Sequence, residues 1–107
     1  MKTLKFSPEL VKLIKNGSKT ITWRLFDDKN IKKGDKLLFI QRPELIPFAK
    51  ALVTDVKVKL IKDLNDQDKK GHEEVGSDKD ICKTYSKYYK KQITSETQVK
   101  VIHFKIV

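Results

Sequence analysis

Residues 17–24, "GSKTITWR", carry the densest chemistry in the chain, with Lys19, Thr20, Thr22 and Arg24 close together. Read with the two-residue period of a strand, Ile21, Trp23 and Leu25 share an apolar face, and Thr20, Thr22 and Arg24 share a polar one. Lys19 precedes Thr22 by an odd spacing, so on a regular strand it points the other way. Gly17 and Ser18 form a helix-ending turn, however, and Lys19 need not yet lie in the pleat. Its amine can therefore converge on Thr22. Hydroxyl, amine and guanidinium together make a cationic pocket for a phosphate backbone or an unstacked base. A threonine hydroxyl is also a nucleophile once a base takes its proton, and a lysine is such a base when burial and nearby cations lower its pKa. The plain alternative is a solvated strand face, since threonine suits strands.

Charge supports a polyanionic partner. The chain carries a net +10, and 22 of its 24 basic residues are lysine. A basic surface invites nucleic acid, although the codon bias of an AT-rich genome gives the same lysine excess. Arginine is the better residue for bidentate phosphate contacts. Its scarcity singles out Arg24 and Arg42.

The elements that must hold these residues read as follows. Residues 2–6 form a short strand. Ser7 caps a helix with Pro8 at its first position and an apolar stripe of Leu10, Val11, Leu13 and Ile14, which Gly17 stops. The "GSKTITWR" strand comes next, with Ile21, Trp23 and Leu25 expected inside the fold and Thr20, Thr22 and Arg24 outside. After a turn-rich loop, 36–41 is a strand, "RPELIP" a loop, and 48–60 a long strand. On that strand Leu52, Val56, Val58 and Leu60 fall in phase, and Lys57 and Lys59 form a basic opposite face. A helical turn is expected at 66–70. Ser77 caps a further helix, with Asp78 and Asp80 in its first turn. Ile81, Tyr85, Tyr88 and Tyr89 lie on one side of it, a stripe read as packing rather than as a stacking platform. The last strand, "QVKVIHFKIV", slips phase between Val99 and Val101 on one side and Ile102, Phe104 and Ile106 on the other, which predicts a bulge or a bend between two sheet surfaces. Five or six strands with two or three short helices predict an α+β fold built on a small β-barrel.

Several classes are disfavoured. No apolar run approaches the roughly 20 residues of a membrane span, and the N-terminus shows no secretory signal. A lone Cys82 suits a reducing compartment, so a cytoplasmic location is expected. Cys82 reads as a small apolar helix residue rather than the partner of His72 or His103. One His beside acids in "GHEE" is a poor metal set, so neither metal nor cofactor is expected.

The octet also matches G-x-K-x-x-T-x-R, and in this respect the chain resembles the ASCH domains, a branch of the PUA-like superfamily. The helix before the motif, "IKKGDKLLF" after it, "FAKALVTDV" and the closing "VKVIHFKIV" are similar too. The resemblance spans nearly all of residues 1–107 and implies a free-standing ASCH domain with a PUA-like barrel. It implies RNA or a modified nucleoside as ligand, in a cleft that Gly17, Thr20, Trp23, Arg24 and Glu73 would help to line. Some small members hydrolyse N(4)-acetylcytidine with a lysine and a threonine of the motif plus a downstream glutamate. Carried over, those are Lys19, Thr22 and Glu74, with Glu73 the alternative carboxylate. Segments "RPELIP" and "HEEVGS" have no match in those amidohydrolases. The expectation is therefore an RNA- or nucleoside-binding cleft with amidohydrolase activity as the leading chemistry. The alternatives are a non-catalytic RNA-binding module and a protein-interaction domain. A monomer is expected.

Overall fold

The computed structural model describes all 107 residues. Its elements are β1 (Lys2–Phe6), α1 (Pro8–Lys15), β2 (Ile21–Arg24), β3 (Lys36–Gln41), β4 (Ile46–Leu60), α2 (Asp66–Lys69), α3 (Asp78–Tyr89) and β5 (Gln98–Ile106). The five strands form one curled half-barrel sheet in the order β1-β3-β4-β5-β2. Only β1 and β3 run parallel. The expected α+β small-barrel class is what the chain adopts. No helix is long and apolar enough to cross a membrane.

Two apolar clusters lie on opposite faces of the sheet. Leu4, Phe6, Leu37, Phe39, Ala51, Val53, Ile102 and Phe104 pack with Val11 and Ile14 of α1. Ile21, Trp23, Leu25, Val99 and Val101 pack with Ile81 of α3. The phase slip read in β5 is this division: Val99 and Val101 serve one cluster, Ile102 and Phe104 the other. No bulge in β5 is needed, because both of its faces are covered.

The bulge sits in the partner strand instead. Register against β5 shifts between Val53 and Asp55, so Thr54 is the inserted residue. Ala51, Val53 and Val56 therefore reach the same cluster despite their odd spacing. The in-phase set Leu52, Val56, Val58 and Leu60 is corrected accordingly: Val58 is 58% exposed, and Leu52 lies on the face opposite Ala51 and Val53. The expected orientation of β2 is corrected too. Thr22 pairs across from Ile102 and shares its side, while Trp23 pairs across from Val101. The apolar residues of β2 thus lie under α3. Thr22 is not an outward residue, being only 4% exposed.

Helix starts follow their sequence signals. Ser77 and Asp80 exchange side-chain-to-backbone bonds in a capping box, and Asn65 and Asp68 do the same for α2. Gly17 ends α1 with a positive φ of 84°.

The second structurally demanding glycine is Gly71, with φ of 90°. Its carbonyl accepts from the backbone N–H groups of Thr20 (2.8 Å) and Ile21 (3.1 Å), tying the 71–76 loop to the start of β2. A Cβ at Gly71 collides with the Thr20 hydroxyl, whereas one at Gly17 meets nothing within 4 Å. Thermal or urea unfolding should show Gly71→Ala costing about 2 kcal/mol and Gly17→Ala about 1 kcal/mol. Part of the Gly71→Ala cost should disappear in a Thr20→Ala background; strict additivity of the two changes would contradict this contact.

Candidate active site

The sheet's two edges, β1 and β2, are not paired with each other. Across that seam the Arg24 Nη2 donates to the Lys5 carbonyl (3.1 Å), and the guanidinium lies over the Phe6 ring, 5.1 Å from its centroid. A cavity of about 260 Å³ opens beside this bridge. Thr22, Trp23 and Arg24 of β2 form one wall, the His72–Val75 loop a second, and the tyrosines of α3 a third.

Lys19 does not itself line the cavity; its side chain, 1% exposed, is joined to the lining residue Glu73. Its Nζ donates to the Ile21 carbonyl (2.7 Å) and to Glu73 Oε1 (2.5 Å). Burial lowers the Lys19 pKa, the Glu73 carboxylate opposes that, and Arg24 adds a smaller lowering push. Burial would raise the Glu73 carboxyl, but Lys19 and His72 hold it below its usual range. The short bond thus joins a lysine drawn toward neutrality to the only carboxylate on it.

His72 completes the arrangement. Its ring stacks on Trp23, centroids 3.8 Å apart and planes 20° apart. Nδ1 lies 2.8 Å from the Glu73 carbonyl and Nε2 lies 3.3 Å from Glu73 Oε1. Burial and the neighbouring Lys19 pull its pKa to about 4, so it is neutral at pH 7. A neutral ring donates through only one of these nitrogens, and the shorter contact assigns the proton to Nδ1. Trp23 is itself fixed, its indole N–H donating to the Asp68 carbonyl (3.1 Å). The buried Asp68 carboxylate in turn accepts from Lys59 (2.6 Å) and from the Asn65 N–H (2.9 Å).

Thr22 contributes a hydroxyl to the cavity wall. No hydrogen bond within the chain engages that hydroxyl, and although the residue is only 4% exposed the oxygen is not sealed, since the one sealed, unpartnered side-chain atom is Arg24 Nε. No hydrogen bond joins Thr22 to Lys19, whose two bonds go to Ile21 and Glu73. Thr22 and Glu73 therefore border one cavity, and the Lys19 amine adjoins it through its bond to Glu73.

Several expected site residues take other places. Glu73, not Glu74, meets Lys19; Glu74 is exposed and lines the cavity without touching the lysine. The backbone turns sharply after Gly71, and that turn decides which of two adjacent carboxylates faces in. Gly17 and Thr20 lie outside this cavity, beside a separate shallow groove with His103, because Thr20 precedes the pleat of β2 and is exposed. Lys59 is committed to Asp68 and is not a free basic surface group. His72, read only as a poor metal ligand, is part of the site; no group of three or more His, Cys, Asp or Glu side chains comes together to hold a metal. Arg42 and the tyrosines also line the cavity. Arginine scarcity and the stripe at helical spacing were their signals. The stripe packs as well: Tyr85 and Tyr89 lie against the α3-side cluster, and Leu25 N–H donates to the Tyr89 hydroxyl (3.2 Å).

Neither a protein-family model nor a curated protein matches the sequence. Solved structures do. The hypothetical protein PH0355 superposes with a TM-score of 0.73 at 26% identity, covering 100% of both chains. The ASCH domain of Lactobacillus crispatus JV V101 gives a TM-score of 0.69 at 13% identity, over 89% of this chain and 68% of that one. The ASCH protein of Zymomonas mobilis gives 0.69 at 13% identity, over 96% of this chain and 65% of that one. The fold is a small α+β half-barrel of the PUA-like kind. More narrowly, the chain has an ASCH-like fold.

The neutral His72 has a consequence for stability. Its folded pKa, about 4, is below the ordinary 6.5, so between these values the unfolded chain binds more protons and stability rises with pH. The contribution is complete above pH 6.5 and is lost as pH drops toward 4. The Glu73–Lys19 pair acts in the same direction, at and below ordinary carboxylate pKa values. The melting temperature should therefore fall on acidification from pH 6.5 to 4.5, with a shallower slope in His72→Phe. Equal slopes in the two proteins would contradict a neutral buried His72.

Proposed function

We propose that this cavity binds a pyrimidine nucleoside, free or within RNA, and hydrolyses the N4-acetyl group of N(4)-acetylcytidine. The observation that carries the reading is that Glu73, paired with the buried Lys19, lines the same aromatic-walled cavity as Thr22. The ASCH-like fold and the G-x-K-x-x-T-x-R octet agree with it. The volume, about 260 Å³, is near the lower end of ligand pockets and suits one base with its sugar. The tyrosines of α3 offer stacking surfaces for that base.

The chemistry closes without a cofactor. The reactive form is the minor one with the shared proton on Glu73 and a neutral Lys19 amine; burial, which disfavours both charges, favours it against the ion pair that holds Glu73 below its usual range. Lys19 takes the Thr22 proton as the hydroxyl oxygen bonds to the acetyl carbonyl carbon. Glu73 gives its proton to N4 as the carbon–nitrogen bond breaks, and cytidine leaves. Water then attacks the acetyl ester, passing one proton to the Glu73 carboxylate, while Lys19 returns a proton to Thr22 and acetic acid departs, ionising in solution. His72 is a positioning residue, holding Glu73 against Trp23.

A binding-only reading has one observation in its favour, the missing hydrogen bond between Lys19 and Thr22. Purified protein incubated with N(4)-acetylcytidine, with cytidine followed by chromatography, separates the two. Turnover is expected. Thr22→Ala, Lys19→Met and Glu73→Gln should each lower kcat by about 100-fold or more, and the Lys19→Met/Thr22→Ala double variant should fall no further than the worse single, because the groups act as a unit. Glu74→Gln should stay within about threefold of the parent, since its carboxylate makes no contact with the pair. Absence of cytidine from pH 6 to 9, or full activity in Thr22→Ala, would leave binding alone.

A further inference from the structure

The chain's only two arginines, Arg24 and Arg42, line the same cavity although they come from different parts of the sequence. Every ion pair in the structure uses lysine or histidine, and neither arginine has one. Arg24 Nη2 is held by the Lys5 carbonyl, but its Nε is buried with no hydrogen-bond partner. A buried donor without an acceptor is costly, and a charged one more so. The Arg42 guanidinium is held over the Tyr88 ring, 5.2 Å from its centroid, with no acceptor of its own. That arrangement fixes the plane of the fork without using its donors. The backbone N–H of Arg42 donates to the Phe6 carbonyl (3.0 Å), which anchors it to the strand that Arg24 bridges. Glu74, the other carboxylate on the cavity, is exposed and pairs with neither guanidinium.

We infer that Arg24 and Arg42 form a subsite for one phosphoryl group attached to the nucleoside, so that the cavity prefers a nucleotide to a free nucleoside. This rests on the nucleoside reading of the cavity, and it extends that reading by naming the ligand's charged part. The base and sugar occupy the aromatic cavity. The phosphoryl oxygens accept from Nη N–H groups of the two guanidinium forks, whose planar geometry matches phosphate; the sealed Arg24 Nε is not among them. The same chemistry is supplied by a terminal phosphate monoester or by an internal diester of RNA.

The test uses Trp23, the only tryptophan in the chain, as a fluorescent reporter on the cavity wall. Cytidine, cytidine 5′-monophosphate, cytidine 3′-monophosphate and the dinucleotide CpC are titrated separately. A phosphorylated ligand should bind about tenfold or more tightly than cytidine. A gain confined to a monophosphate identifies a mononucleotide, and an equal gain for CpC identifies an RNA backbone. The ratio of nucleotide to cytidine affinity should collapse toward one in Arg42→Gln and in Arg24→Gln, and should persist in Lys50→Gln, a surface change outside the cavity. Arg42 is partly exposed, so its variant keeps the test decisive if Arg24→Gln fails to fold. Equal binding of all four ligands, or a ratio that survives Arg42→Gln, overturns the subsite and leaves the nucleoside cavity standing. If cytidine and all three phosphorylated ligands fail to bind, the nucleoside reading falls together with the subsite.

Discussion

A lysine ammonium inside a protein must be paired, because an isolated charge there costs several kcal/mol by desolvation. Lys19, with 1% of its side chain exposed, sets that requirement here. Its position at the junction of α1 and β2 leaves it two partners, the Ile21 carbonyl and the Glu73 carboxylate. Glu73 in turn is delivered by a loop that Gly71 pins to Thr20 and Ile21 through two backbone hydrogen bonds. His72, next along the chain, is then pressed onto Trp23, and Trp23 is fixed by the α2 turn through Asp68. One buried charge thus accounts for the course of residues 65–75 and for the wall they build.

The sheet supplies the place for that wall. Strand edges with unpaired N–H and C=O groups are a liability, and this half-barrel leaves two of them at its seam. Gly71 and the Tyr89 hydroxyl satisfy the free edge of β2, and Arg24 reaches the carbonyl of Lys5 on β1. None of these devices fills the seam. Side chains that bridge an edge leave room that a paired strand would not, and the cavity is that room.

Much of this organisation was legible in the sequence. Ser77 with Asp80, Pro8 after Ser7, and Gly17 each mark a helix boundary by a local mechanism that tertiary packing did not override. The phase slip in β5 was visible because a strand with both faces buried must break the apolar alternation. The facing of β2 was not legible. An apolar stripe says that Ile21, Trp23 and Leu25 are buried, but not under which layer, and α3 competes with the barrel core for them. Thr54 was hidden for a related reason: nothing in "LVTDV" marks an inserted residue until β5 fixes the register. The octet placed Lys19, Thr22 and Arg24 together. The choice between Glu73 and Glu74 depended on one backbone turn, and the approach of Arg42 depended on the curl of the whole sheet.

The central claim is that Thr22 carries the acetyl group while the Lys19–Glu73 pair moves the protons. It is tested most directly by rapid quench of a single turnover, with enzyme in excess over N(4)-acetylcytidine, followed by mass measurement of the fragment bearing Thr22. Glu73→Gln, which removes the proton donor for cytidine release as well as the acceptor for water, should slow formation and decay of the ester together. Transient acetylation of Thr22, formed as cytidine is released and decaying as acetate appears, is the predicted result. Cytidine and acetate rising together with no acetyl group on that fragment, in both proteins, would contradict it.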